Sequence, residues 1–386
     1  MRRTSMGRGA GRGAGVAGVV LAVVAAGLPA CTSSSTDTVQ IALAAPVSTP
    51  AYAGVKRAAE MAVAEVNASG GVDGQDLQLV IRDDSTRPQR AIAIANELVA
   101  DHSVVAVVGH LNSSATLAAA PIYNDPAHGL VNVSPASSSP QVTNAGPWTF
   151  RVCPSDLEHG PVLAAWAMNR LHDRRAVVLY SNDDYGRGVL SSFADAFAAL
   201  GGQVLSQDPY LPAMLSGDGD PDPYLRRAIR NHMDVLVIAG QSEDGAAILR
   251  EARADGYNGA VMGADGLTGL RNMGSIANGV YVSSAWLPDQ AAEASQQFVQ
   301  AYHERYGTDP DQFAAMTYDA VRLLAQAIRA VGPDRAAIRS YLAQVGHGRP
   351  AFQGVSGTIS FDEHGDVVNK NVVVGVIRDG KLVSAR

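Results

Sequence analysis

From Val39 onward, short apolar runs alternate with longer segments whose apolar residues recur at helical spacing. Val39–Ala44 is apolar except for Gln40, which predicts a strand buried on both faces, as in a parallel sheet. The segment after Tyr52 puts Val55, Ala58, Ala59, Ala62 and Val66 on one helical face, and Gly70-Gly71 predicts its end. Leu77–Ile81 reads as the second strand, Pro88–Ala100 as the second helix and Val104–Val108 as the third strand. The rhythm restarts after Pro154. Strands are expected at Ala176–Tyr180, Gln203–Ser206, Val235–Ala239 and Ala260–Met262, with helices over Ser191–Leu200, Tyr224–Asn231 and Ala246–Ala254. A strand at Val280–Ser283 precedes helices at Ala291–Tyr306 and Asp311–Val331. β-rich pieces follow at Val355–Phe361, Val372–Ile377 and Lys381–Val383. Strand–helix alternation of this kind predicts an α/β protein of two doubly wound parallel-sheet lobes. No compositional linker parts the two series, so the chain is expected to cross between lobes more than once.

The first thirty residues depart from this pattern. A basic, glycine-rich stretch (Met1 to Gly15) precedes thirteen small apolar residues, Val16 to Leu28. Spanning a bilayer takes about 18 to 20 such residues, so the run predicts the core of a signal peptide over residues 1–30. It ends in Leu28-Pro29-Ala30-Cys31, which resembles a bacterial lipobox, although Pro29 is an unusual occupant of its position. The expectation is cleavage before Cys31, lipidation of Cys31, membrane attachment outside the cytoplasm, and a flexible tether over residues 31–38. Cys153 then has no disulfide partner and is expected to behave as a small buried hydrophobe.

Charge narrows the partners. The chain has 30 Lys and Arg against 37 Asp and Glu; without the four arginines of the leader, 26 cations remain, a net −11. Phosphate backbones require a basic patch, so nucleic acid is excluded.

Eight blocks, in order along the chain, resemble the branched-chain amino acid (Leu/Ile/Val) type of the periplasmic binding protein family, a type I fold. They are Ala62–Asp84, Val107–Tyr123, Val133–Pro140, Phe150–Asp156, Asp183–Gly188, Met262–Gly266, Thr317–Ala325 and Gly357–Asp366. The resemblance implies two lobes joined by three crossovers, near Cys153–Asp156, Ser283–Trp286 and Val355–Phe361. Lobe 1 would comprise 39–153 and 285–354, and lobe 2 would comprise 154–284 and 355–386. It further implies a monomeric substrate-binding lipoprotein of an ABC importer, which closes around an amino acid or a related small polar solute and delivers it to a permease driven by an ATPase. No cofactor and no metal are implied.

A zwitterion needs donors for its carboxylate and an acceptor for its ammonium, because an unpaired buried charge costs several kcal/mol. By match to the family pattern, Ser113, Ala136 and Ser138 fall on the carboxylate-binding positions, with Ser114 beside them at a helix start that suits an anion. Asp265 falls on the position of the acid that pairs with the ammonium, and Tyr185 on that of the aromatic laid over the ligand. Two departures bear on specificity. Gln241 stands where relatives carry a tyrosine, which makes that wall more polar, and the loop Ala45–Pro50 is short, with Tyr52 expected to reach the pocket.

Other classes fare poorly. The chain has no Gly-x-Ser-x-Gly elbow, Walker loop, dinucleotide fingerprint or His-Glu-x-x-His, and an enzyme is not expected. His110 is assigned to packing or hydrogen bonding, and the pairs Asp83-Asp84 and Asp183-Asp184 to solvated loops. Asp218, Asp220 and Asp222 space like a calcium loop, but Pro223 and Ile229 replace its turn glycine and final glutamate. A ligand-sensing receptor subunit with the same clamshell remains the alternative.

Overall fold

In this computed structural model the described residues are 38–211 and 222–385, plus a few isolated positions nearer the N-terminus. The signal segment's apolar core, Cys31, the tether up to residue 37 and most of the Gly217–Pro223 stretch lie outside them.

Two sheets organise the chain. The first is all parallel and built from β1 (Thr38–Ala45), β2 (Asp76–Asp83), β3 (Val104–Gly109), β4 (Val131–Ser134) and β5 (Thr149–Arg151), in spatial order β2-β1-β3-β4-β5. The second contains β6 (Arg175–Ser181), β7 (Gln203–Tyr210), β8 (Val235–Ala239), β9 (Ala260–Gly263) and β10 (Tyr281–Ser284), in the order β7-β6-β8-β9-β10, the same winding repeated. In each sheet the order reverses beside its first strand, which leaves a crevice at the carboxyl ends. β13 (Val373–Arg378) and β14 (Lys381–Ser384) extend the second sheet antiparallel from β10. β11 (Phe352–Gly354) and β12 (Gly357–Ile359) form a separate hairpin.

The helices follow the apolar spacing. α1 (Ala53–Ala68) buries Val55, Ala58, Ala59, Met61, Ala62 and Val66, and the turn after it uses Gly70 and Gly71 at positive φ. α2 (Pro88–Ala100) and α3 (Ser113–Tyr123) pack on the other face of the first sheet, around Ala91, Leu98, Ala119 and Tyr123. The helix Gln312–Val331 is buried along most of its length and completes the first core with α1. In the second lobe α4 (Asp156–Trp166) lies against α5 (Asp184–Ala199), with Leu163, Val189 and Phe193 in one core. The other face of that sheet packs Leu236 and Ile238 on the helix Ser242–Ala254. Cys153 is free and buried, and burial pushes its thiol up.

Three sequence expectations need correction. α5 begins at Asp184, seven residues before the expected Ser191, and is capped by the Asp183 carboxylate accepting from the Gly186 N–H at 2.8 Å. Asp84 is fully buried, because its Oδ2 meets His110 Nδ1 at 2.6 Å, and is no solvated loop acid. The third crossover also lies later than Val355–Phe361. Val355, Ile359, Phe361 and Val367 belong to the first core. Two contacts hold that segment there. Asp319 accepts from the Val355 and Ser356 N–H groups at 2.8 Å. Arg151 grips Asp366 with two bonds of 2.6 and 2.5 Å. The chain rejoins the second sheet at Val373, so residues 355–367 sit with lobe 1.

Candidate functional site

The site is built from strand ends. β1 leads through Pro46–Thr49 to Tyr52, β3 leads to Leu111, Asn112 and the start of α3, and β4 leads to Ala136. From the second sheet, β6 leads to Tyr185, β8 to Gln241 and β9 to Asp265. Tyr52, Ser113, Ala136, Tyr185, Gln241 and Asp265 all line one small, tightly closed cavity, which Leu111, Asn112, Gly266 and Phe313 complete. A wider recess of about 320 Å³ shares Tyr52, Asn112, Ser113, Tyr185 and Gln241, and reaches Thr86, Ser114, Asp183 and Glu243.

Serines fasten the first-lobe side of the cavity. Ser134 Oγ donates to the His110 carbonyl at 2.6 Å and accepts from the Ser137 N–H at 3.0 Å. Ser137 in turn reaches the Leu111 carbonyl at 3.1 Å. The loops after β3 and β4 are thereby tied together, with Ala136 toward the cavity. Ser113 Oγ accepts from the Ser139 N–H at 3.1 Å, which leaves its hydroxyl proton to donate elsewhere. Ser113 opens α3, where the first N–H groups lack intrahelical partners and the helix dipole favours an anion.

The second-lobe side carries the acid. Asp265 is 4% exposed, and burial pushes its carboxyl above the usual range. Tyr185 OH donates to Asp265 Oδ1 at 2.9 Å and accepts from the Gly266 N–H at 2.7 Å. Two more buried ionisable groups feel Asp265. Burial, then the Asp265 charge, push Asp156 well above the usual range, against the opposing pull of the Ser138 hydroxyl beside it. Burial pushes His159 down, toward its neutral form, and its Nδ1 lies 2.9 Å from Ser283 Oγ.

Ser114 and Ser138 are placed differently from the other expected residues. Ser114 Oγ donates to Asp184 Oδ2 across the cleft at 2.6 Å, which joins the lobes at its mouth. Ser138 is fully buried, outside the cavity lining. Gly266 and Phe313 carried no sequence signal for the site. Asn112 was visible only as the residue before a helix.

Further bonds span the lobes. Tyr52 OH donates to Gln241 Oε1 at 2.7 Å, and Arg271 pairs with Asp311 at 3.0 Å. The lobes are closed on one another. A larger cavity, about 600 Å³, lies between them on another side, near Arg57, Arg271, Asp309 and Lys381. Arg271 is spent on Asp311, and Lys381 lies 3.3 Å from Asp309, so its charges answer one another. The smaller cavity is the candidate site, since there the two sheets' strand ends converge on Asp265. Among the described residues, no three His, Cys, Asp or Glu groups are placed to hold a metal ion.

Residues 38–381 match the model of the family described as periplasmic binding protein. The chain is 30% identical to the Leu/Ile/Val-binding protein of Escherichia coli, over 80% of this chain and 82% of that protein. It is 29% identical to the leucine-, isoleucine-, valine-, threonine- and alanine-binding protein of Pseudomonas aeruginosa, over 89% and 90%. A crystal structure of an ABC transporter substrate-binding protein from Desulfitobacterium hafniense, in complex with Leu, superposes with a TM-score of 0.78 at 30% identity, over 90% of this chain and all of that one.

Proposed function

Since this chain belongs to the periplasmic binding protein family, we propose that it is the substrate-binding protein of an ABC importer, closing around a free amino acid as its Leu/Ile/Val-binding relatives do. The observation that carries this reading is the single cavity between Ser113 at the start of α3 and the buried Asp265. The ligand carboxylate sits at Ser113 and the α3 N–H groups, over Ala136. The ammonium pairs with Asp265, which Tyr185 orients. Charge-assisted hydrogen bonds of this kind contribute about 1.5 to 3 kcal/mol each. Ser138 borders the carboxylate subsite as a supporting hydroxyl, and Ser114 acts as a clasp between the closed lobes. The task is capture and release, which asks for no catalytic group.

The family frame and the leader together support a place outside the cytoplasm. We assign Cys31 as the lipid-bearing residue, with residues 31–38 as the tether. Labelled palmitate incorporated into the wild type and lost in Cys31→Ala is the expected result.

The test of function is a thermal-shift screen against the common amino acids, amides and small organic acids. A true ligand at a hundredfold excess over its Kd stabilises the protein by about 2.7 kcal/mol. A screen without any shift refutes the proposal.

A further inference from the structure

We propose that the cavity wall made by Asn112, Gln241 and Tyr52 selects amino acids whose side chain carries a neutral hydrogen-bonding group, a hydroxyl or a primary amide, over purely aliphatic ones. This rests on the amino-acid reading above and specifies its ligand.

The wall is made by Asn112 from the first lobe and Gln241 from the second, with Tyr52 between them. Asn112 and Gln241 each occupy the N-cap position of a helix, the place where a short polar side chain ordinarily accepts from a backbone N–H two or three residues on. Neither does so; both helix starts lack a side-chain cap bond. Both amides line the cavity instead.

Once there, they are only partly satisfied. Tyr52 OH donates to Gln241 Oε1 at 2.7 Å. Asn112 Oδ1 is buried and has no partner, and Gln241 Nε2 has none among the described residues. The wall therefore presents one open acceptor and one open donor. Turning both amides by 180° exchanges the two and leaves the same pair.

A buried polar atom left without a partner is costly, whereas a ligand group that meets it recovers that cost. An aliphatic side chain leaves the buried Asn112 Oδ1 unpaired, whereas a hydroxyl or an amide donates to it. The remaining surface, Leu111 and Phe313, suits the methylene or methyl part of such a side chain. The Tyr52 and Phe313 rings, 5.4 Å apart, form its apolar edge. No lysine, arginine or histidine lines the cavity, so an acidic side chain finds no counter-charge.

Isosteric pairs give the test, by calorimetry on the purified protein. Threonine against valine tests the hydroxyl; asparagine against leucine tests the amide. The polar member of at least one pair is expected to bind about tenfold more tightly or better, because a site built for a polar group strongly rejects the analogue that lacks it. Gln241→Leu is expected to narrow or invert that ratio. Valine and leucine binding as tightly as threonine and asparagine would overturn the proposal while leaving the amino-acid function standing. Failure of every amino acid to bind would refute the function itself, and this inference with it. The unmodified protein decides the matter even where the variant does not fold.

Discussion

In the first lobe the strand ends that face the cleft carry only neutral side chains, Tyr52, Asn112, Ser113 and Ala136 among them; in the second they carry Tyr185, Gln241 and the buried carboxylate of Asp265. The two sheets wind alike, in the order 2-1-3-4-5 counted within each lobe, so topology does not account for the difference. The first lobe also buries acid, since Asp84 is fully enclosed, but His110 answers it within the lobe at 2.6 Å. Asp265 has only the Tyr185 hydroxyl and backbone N–H groups around it, together with the distant pull of His159. On the proposed reading, one half meets the ligand's carboxylate with neutral donors and the other meets its ammonium with charge. Neither half alone neutralises a zwitterion, which is why closure and affinity are the same event.

The largest effect should come from removing the second lobe's charge. Asp265→Ala is expected to weaken amino-acid binding by about a hundredfold or more, since breaking a buried ion pair costs about 3 to 5 kcal/mol. The unliganded melting temperature should not fall, because the lost group was a buried acid held above its ordinary pKa. Calorimetry and melting curves, taken together, check both statements.

A milder probe is pH. In the empty site Asp265 is raised by burial, and an ammonium partner favours its ionised form, so binding expels a proton wherever the empty site is protonated. Affinity should therefore hold above the raised pKa and fall by up to about tenfold per pH unit below it. The unliganded fold shows the opposite slope from this group: the unfolded chain gives up the proton first, so stability drops as pH climbs from the ordinary carboxylate range toward the raised value. An affinity independent of pH down to the ordinary carboxylate range would assign the ammonium another partner.

The smallest effect belongs to the clasp. Ser114→Ala removes the two bonds its hydroxyl makes with Asp184 across the cleft, to Oδ2 at 2.6 Å and from the N–H at 3.3 Å, and leaves the lining of the smaller cavity unchanged. A loss of about threefold in affinity is expected, the share of such partly exposed bonds in the closed state. An effect as large as that of Asp265→Ala would make Ser114 a direct ligand group.

Most of the β-sheet framework was legible from sequence, because strands buried on both faces are nearly unbroken apolar runs; Val104–Val108 is an example. What stayed hidden has local causes. α5 loses its first turns to view because of Gly186 and Gly188, which weaken a helical pattern. Both are required by close approach: a Cβ at Gly186 would lie 2.1 Å from the Ser181 carbonyl oxygen, and one at Gly188 would lie 2.5 Å from Asp156 Oδ2. α4 is masked in the same way by Gly160, where a Cβ would meet Ser192 Oγ at 2.2 Å, and by Pro161 beside it. Asp84 looked like a loop acid since its partner, His110, lies 26 residues away, at another strand's end. In the site, the family pattern pointed to Ser113, Ala136, Tyr185 and Asp265. Phe313 escaped because it comes from a helix far along the chain whose burial gives no hint of the cleft.

The interleaving of the lobes bears on how the molecule is made. The first core requires Leu324 and Phe361, and the second sheet requires Val374 and Val376, so neither half is contiguous. A chain synthesised from its N-terminus leaves one flank of β1 to β5 incompletely covered until the helix Gln312–Val331 is made, which ends 293 residues after Thr38. Such long-range closure slows spontaneous folding. It also keeps the nascent polypeptide loose enough to be threaded through a narrow pore before it sets.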